Sequence, residues 1–368
     1  MTDKYYMKTA IDLAKKGYGY VSPNPVAGAV IVKNGRIIGE GFHEKYGSLH
    51  AERNALASCT EDPEGATMYV TLEPCCHYGK QPPCTEAIID AKLARVVVGT
   101  RDPNPLVAGK GINILKEHGI SVTEDVLKEE CININEIFMH YIQSKTPFVC
   151  MKYAMTMDGK IACYTGDSKW VTGETARNHV HHQRHKYTAI MVGIGTVLAD
   201  DPLLTSRIEN GRDPVRIICD TYLRTPPGSQ IVKTAAAVPT IIVTCSSDEG
   251  RKKDLENSGC RIISQDPLQD SIDLPQLMKT LGEMNIDSIL LEGGGTLNWS
   301  ALESGIVNKV QAYIAPKLFG GMEAKTPVEG AGFASPPEGI HLKTQSISHL
   351  GDDILIESEV IKDVHGDN

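Results

Sequence analysis

The sequence predicts an α/β protein that is divided into two domains. Apolar runs of strand length alternate along the chain with segments whose apolar residues recur at helical spacing. A chain of 368 residues is long for a single hydrophobic core, so two domains are expected. Strands that alternate with helices predict a sheet covered by helices on both faces, an α/β/α sandwich, with its chemistry at the strand ends.

The elements of the first domain follow in a regular order up to residue 146. The segment 4–17 has helical apolar spacing and stops at a glycine, which predicts a helix. The pair Asn34-Gly35 joins two strand-like runs and predicts a hairpin. The remaining predicted elements are strands 26–32 and 36–41, helix 51–58, strand 66–72, helix 84–93, strands 95–99 and 121–126, and one long helix over 127–142. Ser144 to Pro147 breaks the pattern, so the boundary is placed between residues 146 and 147.

The second domain, residues 147–368, is predicted to be richer in strands. Its predicted elements are strand 148–155, helix 175–187, strands 189–193, 215–219 and 240–244, helix 274–284, strand 288–291, and further strands within 309–320 and 340–360. The run Glu292-Gly-Gly-Gly follows one of these strands and opens another helix. Such a junction binds anions well, but the spacing is not G-x-G-x-x-G, and a simple tight turn explains it equally well.

The composition is that of an ordinary globular protein. Hydrophobic residues make up 41% of the chain and charged residues 23%, with a net charge of −9. This charge argues against a surface that coats nucleic acid, although a local basic pocket for one phosphate remains compatible with it. Ten cysteines, with neither a signal-like N-terminus nor a long apolar span, predict reduced thiols, a cytoplasmic location and no disulfides.

The strongest chemical signal lies between His50 and Cys84. The sequence reads H-A-E from His50 to Glu52, and E-P-C-C-H-Y-G-K-Q-P-P-C from Glu73 to Cys84. The side chains of His50, Cys75 and Cys84 supply three zinc ligands and leave a fourth tetrahedral position open, as in catalytic zinc sites. Glu52 is the candidate acid/base, because a carboxylate placed there can move a proton from water to a departing amine.

The cysteine spacing departs from the P-C-x-x-C pattern of zinc deaminases. Eight residues separate Cys75 from Cys84, and Cys76 is expected to point away from the metal. Two prolines precede Cys84, where a rigid turn can open a helix. A closed Cys₃His knuckle and reduced core cysteines are the alternatives. A knuckle has no use for Glu52 or for these prolines, which favours the open catalytic site.

With both halves considered, the chain resembles the family of bifunctional riboflavin-biosynthesis enzymes, in which a pyrimidine deaminase is fused to a 5-amino-6-(5-phosphoribosylamino)uracil reductase. The resemblance covers nearly the whole chain. It is carried, in order, by S-P-N-P-V-A-G-A-V, H-A-E, T-L-E-P-C-C-H-Y-G-K-Q-P-P-C, R-D-P-N-P, M-K-Y-A-M-T-M-D-G-K, V-G-I-G-T-V-L-A-D-D-P-L-L-T-S-R and L-E-G-G-G. It implies a cytidine-deaminase-like first domain and a dihydrofolate-reductase-like second domain, for which no G-x-G-x-x-G run is expected.

In the first domain the resemblance implies zinc at His50, Cys75 and Cys84, with Glu52 as proton donor. The residues implied to bind the pyrimidine are Asn24, Asp102 and Asn104, and those implied for the ribose phosphate are His43, His77 and Lys80. Each of these six could equally be a polar residue that caps a loop.

In the second domain the resemblance implies NADPH and a phosphorylated substrate. The implied cofactor-binding residues are Ala154, Trp170, Thr196, Asp200, Gly294, Gly295, Thr296, Leu297, Asn298, Trp299 and Ser300. The implied substrate-binding residues are Ser168, Arg184, Leu204, Arg207 and Glu292. Guanidinium groups grip phosphate oxygens in pairs, which supports the arginines on physical grounds. The residues alone do not distinguish NADPH from NADH.

Two further features of the second domain concern polar side chains. Lys152 is expected to bind the substrate and, together with Asp158, to help open the ribose ring. His181, His182 and His185 surround Arg184 in the sequence. Successive helical residues face different ways, so these histidines are interpreted as ordinary helix residues and not as a metal cluster.

The resemblance implies two consecutive reactions. The first is hydrolytic deamination of 2,5-diamino-6-ribosylamino-4(3H)-pyrimidinone 5′-phosphate. The second is NADPH-dependent reduction to 5-amino-6-ribitylamino-2,4(1H,3H)-pyrimidinedione 5′-phosphate, by a homodimer or tetramer that binds neither nucleic acid nor membrane. Two alternatives remain: a zinc-dependent nucleic-acid base deaminase with an appended reductase-like module, and a non-catalytic zinc scaffold.

Overall fold

The computed structural model describes residues 1–104 and 107–361. The chain forms two compact units, Met1–Lys145 and a second that begins at Thr146. No helix in the described ranges is both long enough and apolar enough to cross a membrane.

The first unit is built on a five-stranded sheet with the order β2-β1-β3-β4-β5. Its strands are β1 (Gly28–Lys33), β2 (Arg36–Phe42), β3 (Thr67–Leu72), β4 (Arg95–Thr100) and β5 (Ser121–Thr123). Its helices are α1 (Asp3–Ala14), α2 (Ala51–Ala57), α3 (Cys84–Asp90), α4 (Lys110–Glu117), α5 (Lys128–Ile134) and α6 (Glu136–Ser144). Strand β1 pairs antiparallel with β2 and β3, while β3, β4 and β5 are parallel.

Both faces of this sheet are covered by helices, because successive strand residues point to opposite sides. Ala29 and Ile31 of β1 pack with apolar residues of α2, α3 and α4. Val30 and Val32 pack on the other face with α1 and α5. Each large apolar side chain that is fully buried stabilises the fold by roughly 1.5–3 kcal/mol. The predicted α/β/α sandwich is therefore confirmed.

Helix α2, which carries the H-A-E motif, lies unusually close to β2. A Cβ atom at Gly41 would lie 2.3 Å from the backbone nitrogen of Ala55 and 2.6 Å from the carbonyl oxygen of Ala51. Any side chain at this position would push the helix away. Asn54 of α2 also donates its side-chain amide to the carbonyl oxygen of Phe42 at 2.8 Å. The helix is thus held against the strand at both points.

The predicted single helix over 127–142 is wrong, because two helices, α5 and α6, occupy this segment. Asn135 separates them with φ −113° and ψ 17°. Its side chain is buried, and its Nδ2 donates to the carbonyl oxygen of Val26 at 2.9 Å. A side chain that must reach a partner in a distant loop has overridden the local helical preference.

The second unit contains a nine-stranded sheet with the order β10-β9-β8-β7-β11-β6-β12-β14-β13. Its strands are β6 (Phe148–Thr156), β7 (Ala189–Gly193), β8 (Val215–Cys219), β9 (Thr240–Thr244), β10 (Arg261–Ser264), β11 (Ser288–Leu291), β12 (Val307–Ala315), β13 (Leu342–Leu350) and β14 (Asp353–Val360). Its helices are α7 (Glu174–Lys186), α8 (Ile194–Asp200), α9 (Gln230–Lys233), α10 (Glu249–Asn257), α11 (Leu274–Glu283) and α12 (Gly295–Glu303).

The strands from β10 to β12 are parallel, and β14 and β13 complete the sheet as an antiparallel edge. Ile190 and Val192 of β7 pack into the core on one face, and Ala189 and Met191 into the core on the other. Ligands of parallel sheets bind beyond the carboxyl ends of the strands, especially where the strand order reverses. Here that edge lies at the ends of β7, β11 and β6.

Candidate active sites

The predicted metal ligands of the first unit come together at the starts of two helices. His50 immediately precedes α2, Cys84 is the first residue of α3, and Cys75 lies in the loop after β3. The Nδ1 atom of His50 lies 3.4 Å from Sγ of Cys75 and 3.5 Å from Sγ of Cys84. Ligands at normal Zn–N and Zn–S distances in a tetrahedron are about 3.5 Å apart. The donor set and its spacing therefore fit zinc, and Cys76 is outside the grouping.

The pKa values of the two cysteine thiols shift in opposite directions. Hydrogen bonding from Cys84 to Cys75 lowers the pKa of Cys75 and raises the pKa of Cys84, and His50 further favours the Cys75 thiolate. The backbone N–H of Cys84 also points to the sulfur of Cys75, at 3.4 Å. Since metals bind thiolates, the fold already stabilises the ligand form of Cys75.

Glu52 lies in the first turn of α2 and is 4% exposed. Burial raises its pKa to about 7, and the negative charge of Cys75 adds to the increase. A carboxyl group with a pKa near neutrality can both accept and release a proton at cellular pH, as a general acid/base must.

Two of the three ligands, His50 and Cys75, line one cavity of about 340 Å³ together with Glu52, while Cys84 is buried behind them. The cavity is lined by both His50 and Cys75, and by the six predicted pyrimidine- and phosphate-binding residues Asn24, His43, His77, Lys80, Asp102 and Asn104. Asp102 is nearly buried, which raises its pKa to about 6, and its Oδ1 accepts the backbone N–H of Asn104 at 2.8 Å. The ammonium group of Lys80 lies 3.9 Å from the ring centroid of Tyr46.

His43 is committed to internal hydrogen bonds. Its Nδ1 lies 3.0 Å from the carbonyl oxygen of Leu49, which can only accept, so Nδ1 carries the proton. Its Nε2 then accepts the side-chain amide of Asn24 at 3.2 Å. Burial lowers the pKa of His43 and favours this neutral form. In this arrangement His43 orients Asn24, and binding a phosphate directly would require it to give up one of these bonds.

The predicted substrate residues of the second unit centre on Glu292, which follows β11. Its carboxylate lies 3.0 Å from Nζ of Lys152, and it receives Nε and Nη2 of Arg184 at 2.7 and 3.0 Å. Burial opposes ionisation of Glu292, but the two cations outweigh it and hold its pKa well below the usual range. Arg184 also donates to the carbonyl oxygen of Thr205 at 3.2 Å. Arg207 is exposed, which leaves it accessible to a substrate phosphate.

Two of the predicted cofactor residues, Thr196 and Gly294, lie at the starts of two adjacent helices, and Asp200 ends the first of these helices. Thr196 and Asp200 belong to α8, and Gly294 is the N-cap of α12. A Cβ atom at Gly294 would meet only the hydroxyl of Thr196 within 4 Å, at 3.9 Å, and one at Gly195 would meet nothing. Exposed backbone at neighbouring helix starts fits the phosphates of a dinucleotide.

Three other predicted residues of the second unit are buried or make contacts within the protein. Leu204 is buried in the core, so only its backbone is available to a ligand. Asn298 donates to the carbonyl oxygen of Pro327 at 2.8 Å, and the ring of Trp299 lies 5.1 Å from that of Phe333. The remaining predicted residues have more open positions: Ser168 donates to Asp200 at 3.3 Å, Trp170 is 60% exposed, and Ala154 lies on β6.

Asp158 is engaged by backbone amides. It accepts the N–H groups of Phe319 and Gly320 at 3.2 and 2.7 Å, as well as the hydroxyl of Thr156. The bond from Thr156, followed by that from Gly320, lowers its pKa to about 2. A carboxylate this acidic is a poor proton donor, which argues against a role in opening the ribose ring. The histidines of α7 form no metal-binding group within the described residues.

One residue of the first site was not assigned a role from the sequence. Glu73 begins the E-P-C-C motif, is 3% exposed and lines the same cavity. The available signal was a carboxylate placed directly after a continuous apolar strand, where a buried charge requires dedicated partners.

The fold and the two sites define a class of enzyme: a zinc-type deaminase joined to a doubly wound reductase-like domain. Residues 1–100 match the model of the cytidine and deoxycytidylate deaminase zinc-binding region, and residues 147–356 match that of the RibD C-terminal domain. The riboflavin biosynthesis protein RibD of Actinobacillus pleuropneumoniae is 54% identical over 98% of this chain and 96% of its own length. The RibD of Escherichia coli is 37% identical over 97% and 99%.

Solved structures give the same result. A diaminohydroxyphosphoribosylaminopyrimidine deaminase/5-amino-6-(5-phosphoribosylamino)uracil reductase from Thermotoga maritima is 39% identical, with a TM-score of 0.86 over 98% of this chain and 99% of that one. RibD of Acinetobacter baumannii is 37% identical with the same TM-score and coverage. The chain belongs to the RibD family. It is a bifunctional deaminase and reductase of riboflavin biosynthesis that uses zinc and NADPH.

Proposed function

We propose that the first unit deaminates 2,5-diamino-6-ribosylamino-4(3H)-pyrimidinone 5′-phosphate, and that the second then reduces its ribosyl group to ribityl with NADPH. The observation that carries this proposal is the grouping of the donor atoms of His50, Cys75 and Cys84, with His50, Cys75 and buried Glu52 lining one cavity. Membership of the RibD family supports the order of the two reactions.

In the deamination, His50, Cys75 and Cys84 would hold the zinc ion, which when bound supplies Lewis acidity. Glu52 takes the proton of the attacking water at its carboxylate and delivers it to the exocyclic amine, which leaves as ammonia. Burial, which raises the pKa of Glu52, strengthens its carboxylate as a proton acceptor. Asn24, oriented by His43, positions the pyrimidine ring in the cavity.

The remaining cavity residues are assigned to the rest of the substrate. Asp102 and Asn104 contact the pyrimidine, the ammonium group of Lys80 supplies positive charge for the ribose phosphate, and His77 is a second contact to that phosphate. A cation beside a phosphate strengthens binding most where water is partly excluded, as in this cavity.

Replacement of Glu52 by glutamine tests the deaminase assignment. We expect zinc to remain bound, because the ligands are unchanged, and ammonia release to fall by about 10²–10⁴-fold, because the proton carrier is lost. Metal content and ammonia release are measured on the full-length chain. Glu117→Gln, an exposed substitution at the end of α4, is the matched control. Ammonia release at the normal rate in Glu52→Gln would remove the carboxylate from the mechanism.

In the reduction, Thr196, Asp200 and residues 294–300 would hold NADPH, which when bound supplies a hydride. Glu292 fixes the ammonium of Lys152 and the guanidinium of Arg184 at the strand ends. Lys152 gives a proton from Nζ to the ring oxygen of the ribose as the ring opens. Arg207 binds the phosphate.

A coupled assay tests both reactions and their order. Purified, zinc-loaded protein is supplied with the diaminopyrimidine substrate and NADPH, and ammonia and NADPH are followed together. We expect ammonia release first and NADPH oxidation after it. Ammonia alone would leave the deaminase standing and contradict the reductase assignment, and neither signal would contradict both.

We also propose a cytoplasmic homodimer or tetramer that does not bind nucleic acid. The edge strand β13 exposes Leu342 and Ile347, the latter 66% exposed, together with one row of backbone groups. The ten free cysteine thiols support a cytoplasmic location. The net charge of −9 argues against binding to nucleic acid. Light scattering should give twice or four times the 40.0 kDa chain mass. A monomer at micromolar concentration would contradict the assembly.

A further inference from the structure

Glu73 is a buried carboxylate whose hydrogen-bond donors are backbone amides. Its Oε2 accepts the N–H of Asp102 at 3.3 Å and that of Gly109 at 2.9 Å. Its Oε1 accepts the N–H of Ile112 at 3.2 Å. Charge-assisted bonds of this kind offset the cost of removing the carboxylate from water. The position of Glu73 is therefore tightly linked to that of the backbone it binds.

Two of these donors belong to the start of α4, which has no capping side chain of its own. The N-cap residue is Gly109, with φ 84°. Glycine offers no side-chain acceptor for the free N–H groups of a first helical turn. Glu73 supplies that acceptor from the end of β3, and the helix dipole favours a negative charge there. Glu73 thus caps the N-terminus of helix α4.

A second residue, Gly111, lets α4 pack closely against the loop that carries the metal ligand Cys75. A Cβ atom at this position would lie 2.2 Å from the carbonyl oxygen of Pro74 and 3.3 Å from Oε1 of Glu73. Only glycine permits so close an approach. The start of α4 therefore rests directly on the backbone that leads into Cys75.

The same carboxylate also connects two described residues near the substrate cavity, Asp102 and Gly109. One oxygen atom, Oε2, accepts the backbone N–H groups of both residues. Asp102 and Asn104 line the cavity that also contains His50 and Glu52. Glu73 precedes the ligand Cys75 by two residues, so one side chain fixes the spacing between the cavity wall and the metal ligands.

We propose that Glu73 is a positioning residue of the deaminase, which holds Asp102 and Asn104 at the correct distance from the metal ligands and from Glu52. It acts through the backbone that it binds. This inference rests on the proposed function of the first unit as a pyrimidine deaminase, and it adds a determinant of substrate binding that is separate from proton transfer.

Glu73→Gln tests the inference with little change in size. The amide keeps one acceptor oxygen but presents an NH₂ group to backbone donors. We expect the KM for the diaminopyrimidine substrate to rise by about 10-fold or more, since a charge-assisted bond at the wall is lost. Zinc content should remain unchanged and kcat should fall by less than about threefold, because Glu52 and the ligands are not altered. Glu64→Gln, an exposed substitution in the same unit, is the control and should behave as wild type.

Gly111→Ala tests the same contact from the opposite side and leaves the carboxylate in place. We expect the same rise in KM, with reductase activity of the full-length chain reporting that the protein is folded. Wild-type KM values in both variants would overturn the inference. Loss of zinc together with an equal fall in kcat would also overturn it, because Glu73 would then only support the metal loop. A wild-type chain that releases no ammonia would instead contradict the proposed function.

Discussion

Glu292 is the carboxylate that binds two cations of the second unit. Lys152 and Arg184 both bind it, and all three side chains are largely withdrawn from water. Ion groups of this kind contribute little when complete, because desolvation offsets attraction, but removing one partner leaves uncompensated buried charge. Removal of Glu292 is therefore expected to cost more free energy than the complete ion group contributes to stability.

Glu292→Gln is expected to destabilise the second unit by about 3–5 kcal/mol, because two buried cations lose their counter-ion. The chain has two tryptophans, Trp170 and Trp299, both in this unit. Urea unfolding followed by tryptophan fluorescence therefore reports this unit selectively. The exposed substitution Glu303→Gln, at the end of α12, is the control. A midpoint equal to that of the control would show that the cations are hydrated without Glu292.

The acid stability of the second unit should depend on the same carboxylate. The pKa of Glu292 in the folded protein lies below its ordinary value of 4.5, so the unfolded chain binds its proton more readily. Its stabilising contribution is complete above pH 4.5 and is lost as the pH falls towards the folded pKa. Tryptophan-monitored stability should therefore decline below about pH 5. The unfolding free energy should change less steeply with pH in Glu292→Gln than in the wild type. Identical pH dependence in the two proteins would rule out this residue as the cause.

At the scale of elements, the placement of α2 depends on a glycine in the neighbouring strand. Gly41→Ala would insert a methyl group into the backbone of α2. We expect a loss of about 1–3 kcal/mol in unfolding free energy, together with weaker zinc binding, because His50 and Glu52 move with the helix. Thermal unfolding and zinc titration measure the two effects. Gly228→Ala, where a Cβ atom meets nothing within 4 Å, is the control. Unchanged zinc affinity in Gly41→Ala would show that the helix adapts without moving its ligand.

Elements with a strong periodic pattern could be predicted from the sequence to within one or two residues. The strands β7, β8, β9 and β11 have the predicted bounds, because continuous apolar runs between polar loops describe strands buried on both faces. Helix α10 was missed because it is almost entirely polar and buries only Leu255. Strand β10 has only two apolar residues, Ile262 and Ile263, between polar ends, whereas the equally short β11 is buried at every position. The break at Asn135 depends on a tertiary hydrogen bond, which local patterns do not contain.

In the sites too, residues in local motifs could be predicted, whereas those that depend on tertiary contacts could not. The grouping of His50, Cys75 and Cys84 followed from ligand chemistry and spacing, and the structure brings their donor atoms together. The bonds of Glu73 to Asp102 and Gly109 join residues about thirty positions apart. Likewise, the use of Asp158 by the amides of Phe319 and Gly320 depends on the folding of a distant segment. Such contacts leave no trace in a local motif.

At the scale of the whole molecule, the two activities belong to units that have separate hydrophobic cores. We expect chelation of the metal to abolish ammonia release while reduction of the deaminated intermediate continues, since the second unit contains no part of the ligand set. NADPH oxidation with the intermediate supplied directly is the measurement. Added zinc should restore ammonia release. Loss of both activities on chelation would mean that the metal supports the entire fold.

The central place of β11 has a consequence for synthesis on the ribosome. Strand β11 lies between β6 and β7, yet it is translated long after both of them. The nascent chain must carry two apolar strands without their common neighbour until residue 291 has emerged, whereas the first unit is complete at Lys145. Parallel pairings between distant segments form slowly and expose aggregation-prone edges in the meantime. During translation, the second unit is therefore the part of this enzyme in which strands wait longest for their neighbours.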